Sequence, residues 1–233
     1  MTIETLSTAV SQALGSHLVS LVLYGSAARG TAVPQRSDVN TLLICDAVDD
    51  ALFAAVAPAL KDWRRAGHPA PLIFTEREWR SSADVFAIEY QDMQEHHRVL
   101  AGRDPWSGIR VERSDMRRQL EGELMGKLVR LRQAYAALAD DPKQLARALV
   151  GSAAGFFTML RTVLRLAGRP APAAPEELVR SAAALIGFPA DGLAPLVRHG
   201  SGGPALRLQR GDPLVPAYLA AMARTAEFVD GLE

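Results

Sequence analysis

Residues 22–44 read VLYGSAARGTAVPQRSDVNTLLI, and this stretch contains the pattern that organises the N-terminal half of the chain. An apolar strand predicted over 18–24 runs into Gly25-Ser26, and after a short basic turn a second apolar strand opens with Asp38. Asp38 and Asn40 are two residues apart, so on a strand both side chains project from the same face. The stretch therefore predicts a strand, a turn that could accommodate a phosphate group, and a second strand that carries an acid.

Helix and strand signals alternate through the rest of the first half. Apolar spacing indicates the helices, and short apolar or alternating runs indicate the strands. We expect Pro58 to kink or split its helix, and Thr75 with Glu78 to form a capping box that begins another helix. The predicted elements are helices at 3–14 and 49–66 and strands at 18–24, 39–45, 71–74 and 86–91.

The second half carries almost only helix signals. A segment with Pro105 and Trp106, at 102–108, is typical of a hinge. The predicted helices lie at 114–140, 142–167, 176–186, 193–199 and 214–229, with a Pro/Ala linker at 169–175. We therefore predict an α/β (α+β) domain with a small mixed sheet over residues 1–108. An all-α antiparallel helical bundle over residues 109–233 follows it.

Composition restricts the class of protein. Lys plus Arg and Asp plus Glu both total 26, so the zero net charge gives no reason to expect a nucleic-acid or membrane partner. The single cysteine, Cys45, excludes an intramolecular disulfide framework and a multi-thiolate metal site. The uncharged run at 148–160 is too short to span a bilayer, and the N-terminus lacks a leader pattern. We expect a cytoplasmic protein.

The motif of residues 22–44 resembles the signature of the nucleotidyltransferase superfamily, the DNA polymerase beta-like group that includes kanamycin nucleotidyltransferase. That signature is Gly-Ser, a short spacer with another Gly, and Asp-x-Asp on the next strand. Here Gly25-Ser26, Gly30 and Ser37-Asp38 match it, whereas Asn40 stands where the second acid is expected. The resemblance covers roughly residues 3–100, and the helical half shares only its layout with members that carry a C-terminal bundle.

The resemblance implies a role for each matching residue. Gly25 and Ser26 would hold the phosphates of a nucleoside triphosphate, together with Ser37, and Arg29 would screen phosphate charge or else point to solvent. Asp38 would be the main ligand of Mg²⁺ or Mn²⁺. Asn40 would be a weaker ligand, because its amide oxygen coordinates a hard cation without a negative charge.

The family completes its site with a third acid that binds metal or activates the acceptor. Glu89, on the strand predicted over 86–91, alternates away from Phe86, Ile88 and Tyr90 and would face a cleft. Asp92, one step beyond that strand, is the alternative. We prefer Glu89.

Two functions follow, one catalytic and one not. The first is a magnesium-dependent enzyme that transfers a nucleoside monophosphate to an unidentified small-molecule or protein acceptor bound between the domains. The second is a degenerate relative that binds a nucleotide or a partner without turnover, because loss of a metal carboxylate weakens transition-state stabilisation. The apolar stripe from Leu120 to Leu138 favours intramolecular core, with a homodimer interface as the alternative.

Overall fold

The chain forms two compact units in a computed structural model that describes residues 1–32 and 38–232. The N-terminal unit is Met1–Glu112, and the C-terminal unit is Arg113–Glu233. The sequence-based boundary lay at residue 108.

A four-stranded mixed sheet forms the centre of the N-terminal unit. Its strands are β1 (Leu18–Tyr24), β2 (Asn40–Cys45), β3 (Leu72–Thr75) and β4 (His97–Gly102), in the order β3-β2-β1-β4. Strand β1 is antiparallel to both β2 and β4, and β2 is parallel to β3. The strands predicted at 18–24, 39–45 and 71–74 are thus confirmed, with ends that differ by at most one residue.

Five helices accompany the sheet within the described part of this unit. They are α1 (Ile3–Leu14), α2 (Ser26–Arg29), α3 (Asp50–Arg65), α4 (Glu76–Ser81) and α5 (Ala87–Glu95). Helix α3 is continuous through Pro58, so of the two predicted outcomes, a kink or a split, the split does not occur. The predicted capping box is present: the Thr75 hydroxyl accepts from the Glu78 amide, and the Glu78 carboxylate accepts from the Thr75 amide at 2.7 Å.

The sheet is covered on both faces, which explains why β1 and β2 are apolar throughout. On one face, Leu21 and Leu43 pack with buried residues of α1 and α3. On the other face, Val22 and Leu42 pack with a second cluster. Helices α4 and α5 and the segment 103–112 after β4 contribute buried side chains to that second cluster: Trp79, Tyr90, Met93, Trp106 and Ile109.

The strand predicted over 86–91 is wrong, because helix α5 begins at Ala87, directly after its N-cap Phe86. Six residues of alternating polarity are too few to separate a period of 2 from one of 3.6. The buried residues Ala87, Tyr90 and Met93 recur every three positions, as a helix that packs on a sheet requires. The strand that does follow, β4, lies at the edge of the sheet and is only partly buried.

The described part of the C-terminal unit consists of helices and their connections. The helices are α6 (Arg113–Leu138), α7 (Pro142–Leu166), α8 (Pro175–Ile186), α9 (Ala194–Gly200) and α10 (Leu214–Asp230). They match the five predicted helices, with ends that differ by at most two residues. The stripe on α6 includes buried Leu120, Leu124 and Leu128, and α6 packs on both α7 and α10.

Helix α7 is the central helix of this unit and packs against α6, α8, α9 and α10. By length and composition alone it qualifies as a membrane span, with Pro142–Leu166 as its bounds. However, 61% of its apolar window is buried inside the unit. Such burial is also the property of a core helix in a globular unit.

Candidate functional site

The first half of the motif forms a tight turn at the end of β1. Gly25 has φ 77° and ψ −151°, a backbone conformation that is essentially restricted to glycine. Helix α2 begins directly after it at Ser26 and ends at Arg29. The next residue, Gly30, caps the helix with φ 72° and donates its amide hydrogen to the Ser26 carbonyl. The first amides of a helix have no partner within it, so a turn of this kind suits an anion.

The second half of the motif lies beside this turn. Asn40, the first residue of β2, pairs directly with Tyr24, the last residue of β1. A Cβ atom added to Gly25 would lie 3.1 Å from Nδ2 of Asn40, so the absence of a side chain at Gly25 lets the amide approach the turn. Asp38, two residues before Asn40, is exposed. The Gly-Ser turn and the acid-bearing segment are therefore neighbours.

Ser37, the remaining residue expected to bind phosphate, lies outside the described residues.

Glu89 is in the first turn of α5 rather than on a strand, so the alternation argument that selected it does not apply. Its position is indicated by a different observation. The pKa of Tyr24 is raised above its ordinary value of 10.0, first because the phenol is buried and second because the negative charge of Glu89 acts on it. Because Tyr24 pairs with Asn40, the charge of Glu89 acts on the end of the sheet that carries the Gly-Ser turn.

Arg29 and Asp92 form an ion pair within this region. Nη1 of Arg29 donates to Oδ2 of Asp92 at 2.5 Å. The two side chains are only 10% and 12% exposed, so Arg29 does not point to solvent. Asp92, the alternative third acid, already has its charge balanced by this arginine. The contact of Arg29 with a phosphate stays a prediction.

Sequence reasoning missed two residues beside the turn, Tyr24 and His97. Tyr24 pairs with Asn40 on one side and with His97, the first residue of β4, on the other. Directly paired residues of antiparallel strands share a face, so Asn40, Tyr24 and His97 form one row. Nδ1 of His97 lies 3.0 Å from the carbonyl oxygen of Met93 in α5, which fixes the ring. The pairing of β1 with β4 joins distant segments, and no local pattern in the sequence reports it.

The potential metal ligands are oxygen donors of mixed charge. Among residues 1–32 and 38–232, no group of three His, Cys, Asp or Glu side chains is arranged to hold a metal ion. The three candidate ligands are the carboxylates of Asp38 and Glu89 and the side-chain amide of Asn40. Because Asn is not one of those four residue types, this set cannot form such a group. Carboxylate and amide oxygens are suitable ligands for Mg²⁺. The chemistry of the donors therefore fits a hard divalent cation.

Comparison with known proteins shows similarity at the level of the fold. No protein-family model matches the chain, and no curated protein sequence matches it significantly. Among solved structures, the spectinomycin adenyltransferase AAD(9) from Enterococcus faecialis, determined with ATP and spectinomycin, superposes with a TM-score of 0.62. The match has 13% sequence identity and covers 96% of this chain and 97% of that one.

A toxin-antitoxin structure with AMP-PNP covers 60% of this chain and 98% of its own at 18% identity. Its TM-score of 0.31 is too low to support an argument. The similarity to the adenyltransferase is sufficient for a conclusion about architecture. The chain shares the fold of this adenyltransferase, and this agrees with the architecture that the motif of residues 22–44 predicts.

Proposed function

We propose that the protein is a magnesium-dependent nucleotidyltransferase that binds a nucleoside triphosphate and transfers its nucleoside monophosphate to an acceptor. The observation that carries the proposal is the close approach of Asn40 to Gly25. Nδ2 of Asn40 lies 3.1 Å from the position that a Cβ atom would occupy at Gly25. A fold hosts many activities, so the argument depends on this local arrangement. The similarity of fold to an adenyltransferase that binds ATP supports the same assignment.

In the proposed reaction, Gly25 and Ser26 bind the triphosphate through backbone amides and the serine hydroxyl, with Ser37 as a further donor. An acceptor hydroxyl oxygen attacks the α-phosphorus while the bond from that phosphorus to the bridging oxygen breaks, so pyrophosphate leaves. Glu89 takes the proton from the hydroxyl as general base. Asp38, Asn40 and Glu89 would hold a divalent cation, which when bound neutralises the charge that develops on the phosphates.

Asn40 supports a second candidate function, nucleotide binding without turnover. Its side chain is neutral and places Nδ2, a hydrogen-bond donor, against Gly25. A donor at this position suits a phosphate oxygen better than a cation. In mutational studies of enzymes, loss of one preorganised electrostatic contact costs about 10²- to 10³-fold in rate, enough to remove useful catalysis.

The test is release of pyrophosphate from ATP, GTP, CTP and UTP with Mg²⁺ or Mn²⁺, with and without spectinomycin as acceptor. We expect wild-type turnover that is abolished in Asp38→Ala and raised in Asn40→Asp. Asp46→Ala is the matched control, because Asp46 is an exposed acid that follows the opposite end of β2 and pairs with His17. Equal loss in both alanine variants would contradict the assignment of Asp38.

Turnover by Asn40→Asp alone would establish the second candidate function instead. In that case, isothermal titration calorimetry should still detect nucleotide binding to the wild-type protein. No binding and no turnover in any variant would refute both functions.

The remaining sequence-based predictions belong to the same proposal. We propose a cytoplasmic protein whose helices of the C-terminal unit form an antiparallel bundle. The pyrophosphate assay with each nucleotide and acceptor identifies the substrates, and a measurement of mass in solution tests a homodimer through α6.

A further inference from the structure

We propose that Arg29 and Asp92 are a positioning pair: they hold the helix that carries the Gly-Ser turn at a fixed distance from the helix that carries Glu89. The inference deepens the proposed function and rests on it. It also assigns Arg29 a role different from the phosphate contact that the sequence suggested.

Helix α2 needs an anchor because it contains four residues, Ser26–Arg29. A helix of this length has no stability of its own, since the cost of nucleation is not recovered. Its backbone is closed at both ends by bonds to the turn: the Arg29 amide donates to the Gly25 carbonyl and the Thr31 amide to the Ser26 carbonyl, each at 3.0 Å. The Arg29 side chain, at the last position of α2, adds a contact to a distant element at a helix end where a cation is favourable.

Helix α5 is a rigid support for that contact. The Tyr90 hydroxyl donates to the Trp79 carbonyl at 2.7 Å, and the two rings stack with centroids 4.0 Å apart. Met93, beside Asp92, is 2% exposed. Asp92 therefore presents its carboxylate from a helix that is fixed to the core.

The same face of α5 carries both acids. Glu89 and Asp92 are three residues apart, a spacing that places side chains next to each other on a helix. Asp92 binds Arg29 of the turn helix, and Glu89 acts on Tyr24, the residue before Gly25. The pair thus controls how close the turn lies to Glu89.

The charge of the pair argues against a direct role for Arg29 in attracting phosphate. Arg29 and Asp92 are nine-tenths buried and together neutral, so they add little to the attraction of a triphosphate. The contact from Nη1 to Asp92 holds the guanidinium against α5 and offsets its charge. The main effect of the pair on a bound triphosphate is therefore to fix the position of the turn.

A double-mutant cycle separates the two roles. The dissociation constant of α,β-methylene-ATP with Mg²⁺ is measured by calorimetry for Arg29→Ala, Asp92→Ala and the double variant, at a temperature at which all are folded. For a positioning pair, each single variant binds about tenfold more weakly, and the double variant is no weaker than either. For a direct phosphate ligand, Arg29→Ala binds more weakly while Asp92→Ala binds as well as wild type or better, and this result would overturn the proposal.

Arg65→Ala is the matched control, because it removes an arginine from an exposed pair with Asp62 in α3. We expect its dissociation constant to equal that of wild type. A loss in Arg65→Ala as large as in Arg29→Ala would show that the effect is not specific to the pair.

Amide hydrogen exchange tests the pair without a nucleotide. In Arg29→Ala and in Asp92→Ala, we expect the amides of residues 29–31 to exchange about tenfold faster, while those of β1 keep their protection. Unchanged exchange at 29–31, or a uniform increase across the N-terminal unit, would overturn the proposal. If wild type binds no nucleotide, the proposed function fails, and hydrogen exchange alone decides whether the pair holds the turn.

Discussion

Substitution of Gly25 by alanine tests the contact between the turn and Asn40. Gly25 has φ 77° and ψ −151°, and holding another residue in this conformation costs about 1–3 kcal/mol. The new Cβ would also lie 3.1 Å from Nδ2 of Asn40, which must move by a few tenths of an ångström. A displaced, off-rotamer side chain costs about 0.5–1.5 kcal/mol. We therefore expect Gly25→Ala to lower the free energy of unfolding by about 2–4 kcal/mol.

Gly30 provides the matched control within the same turn. It also has a positive φ, of 72°, but a Cβ atom there would meet nothing within 4 Å. Gly30→Ala should therefore cost only the left-handed backbone, about 1–2 kcal/mol. Gly30 has ψ 16° and Gly25 has ψ −151°, so the two backbone costs differ, and the contact with Asn40 is isolated by removing the Asn40 side chain.

Urea denaturation followed by tryptophan fluorescence measures this difference in the relevant unit. All three tryptophans, Trp63, Trp79 and Trp106, lie in the N-terminal unit, so the signal reports on that unit alone. In an Asn40→Ala background, Gly25→Ala should cost about 0.5–1.5 kcal/mol less than in the wild-type background, whereas the cost of Gly30→Ala should not change. An unchanged cost of Gly25→Ala in the two backgrounds would refute the close approach of Asn40 to the turn.

Three further predictions concern other parts of the chain. Burial raises the pKa of the Cys45 thiol from 9.0 to about 11. At pH 8 a thiol reagent should therefore react with the urea-unfolded protein and not with the native protein. Rapid reaction of the native protein would contradict this prediction. Burial raises the pKa of Tyr218 to about 12, so its contribution to stability is complete below pH 10 and is lost as the pH rises towards 12. In Tyr218→Phe, unfolding curves followed by circular dichroism should show a smaller loss of stability between pH 10 and pH 12. At pH 7 the variant should be less stable by about 1 kcal/mol, because the hydrogen bond to Ser152 is lost. A pH dependence of stability equal to that of wild type would contradict the prediction. Gly151→Ala should stabilise α7 by about 1 kcal/mol, because the added methyl group meets nothing within 4 Å. In Gly155→Ala the methyl group would lie 2.8 Å from Nζ of Lys127, so part of this gain in stability should be lost. Thermal unfolding measures both variants, and the reverse order of stability would count against the packing of α6 on α7.

The strands that position the turn could be predicted because their pattern is local. Strands β1 and β2 are covered on both faces, so their sequences are continuous apolar runs bounded by turn residues. The same stretch of sequence identifies Gly25, Asp38 and Asn40 as candidate site residues. The capping box of Thr75 and Glu78 was likewise predictable, because both partners lie within four residues.

The parts of the site that depend on long-range packing could not be predicted. Arg29 and Asp92 are 63 residues apart in sequence, and nothing near either residue indicates its partner. Glu89 was selected by an alternation that belongs to a helix, so the effect of its charge on Tyr24 results from how α5 packs on the sheet. Strand β4 is a partly buried edge strand, and its apolar pattern is correspondingly weak.

A crystal structure with α,β-methylene-ATP and Mn²⁺, in which anomalous scattering locates the metal, tests the proposed site most directly. We predict the triphosphate on the amides that follow Gly25, with Mn²⁺ bound by Asp38 and the Arg29–Asp92 pair intact. A nucleotide bound away from the Gly25-Ser26 turn, or a metal that does not contact Asp38, would contradict the account.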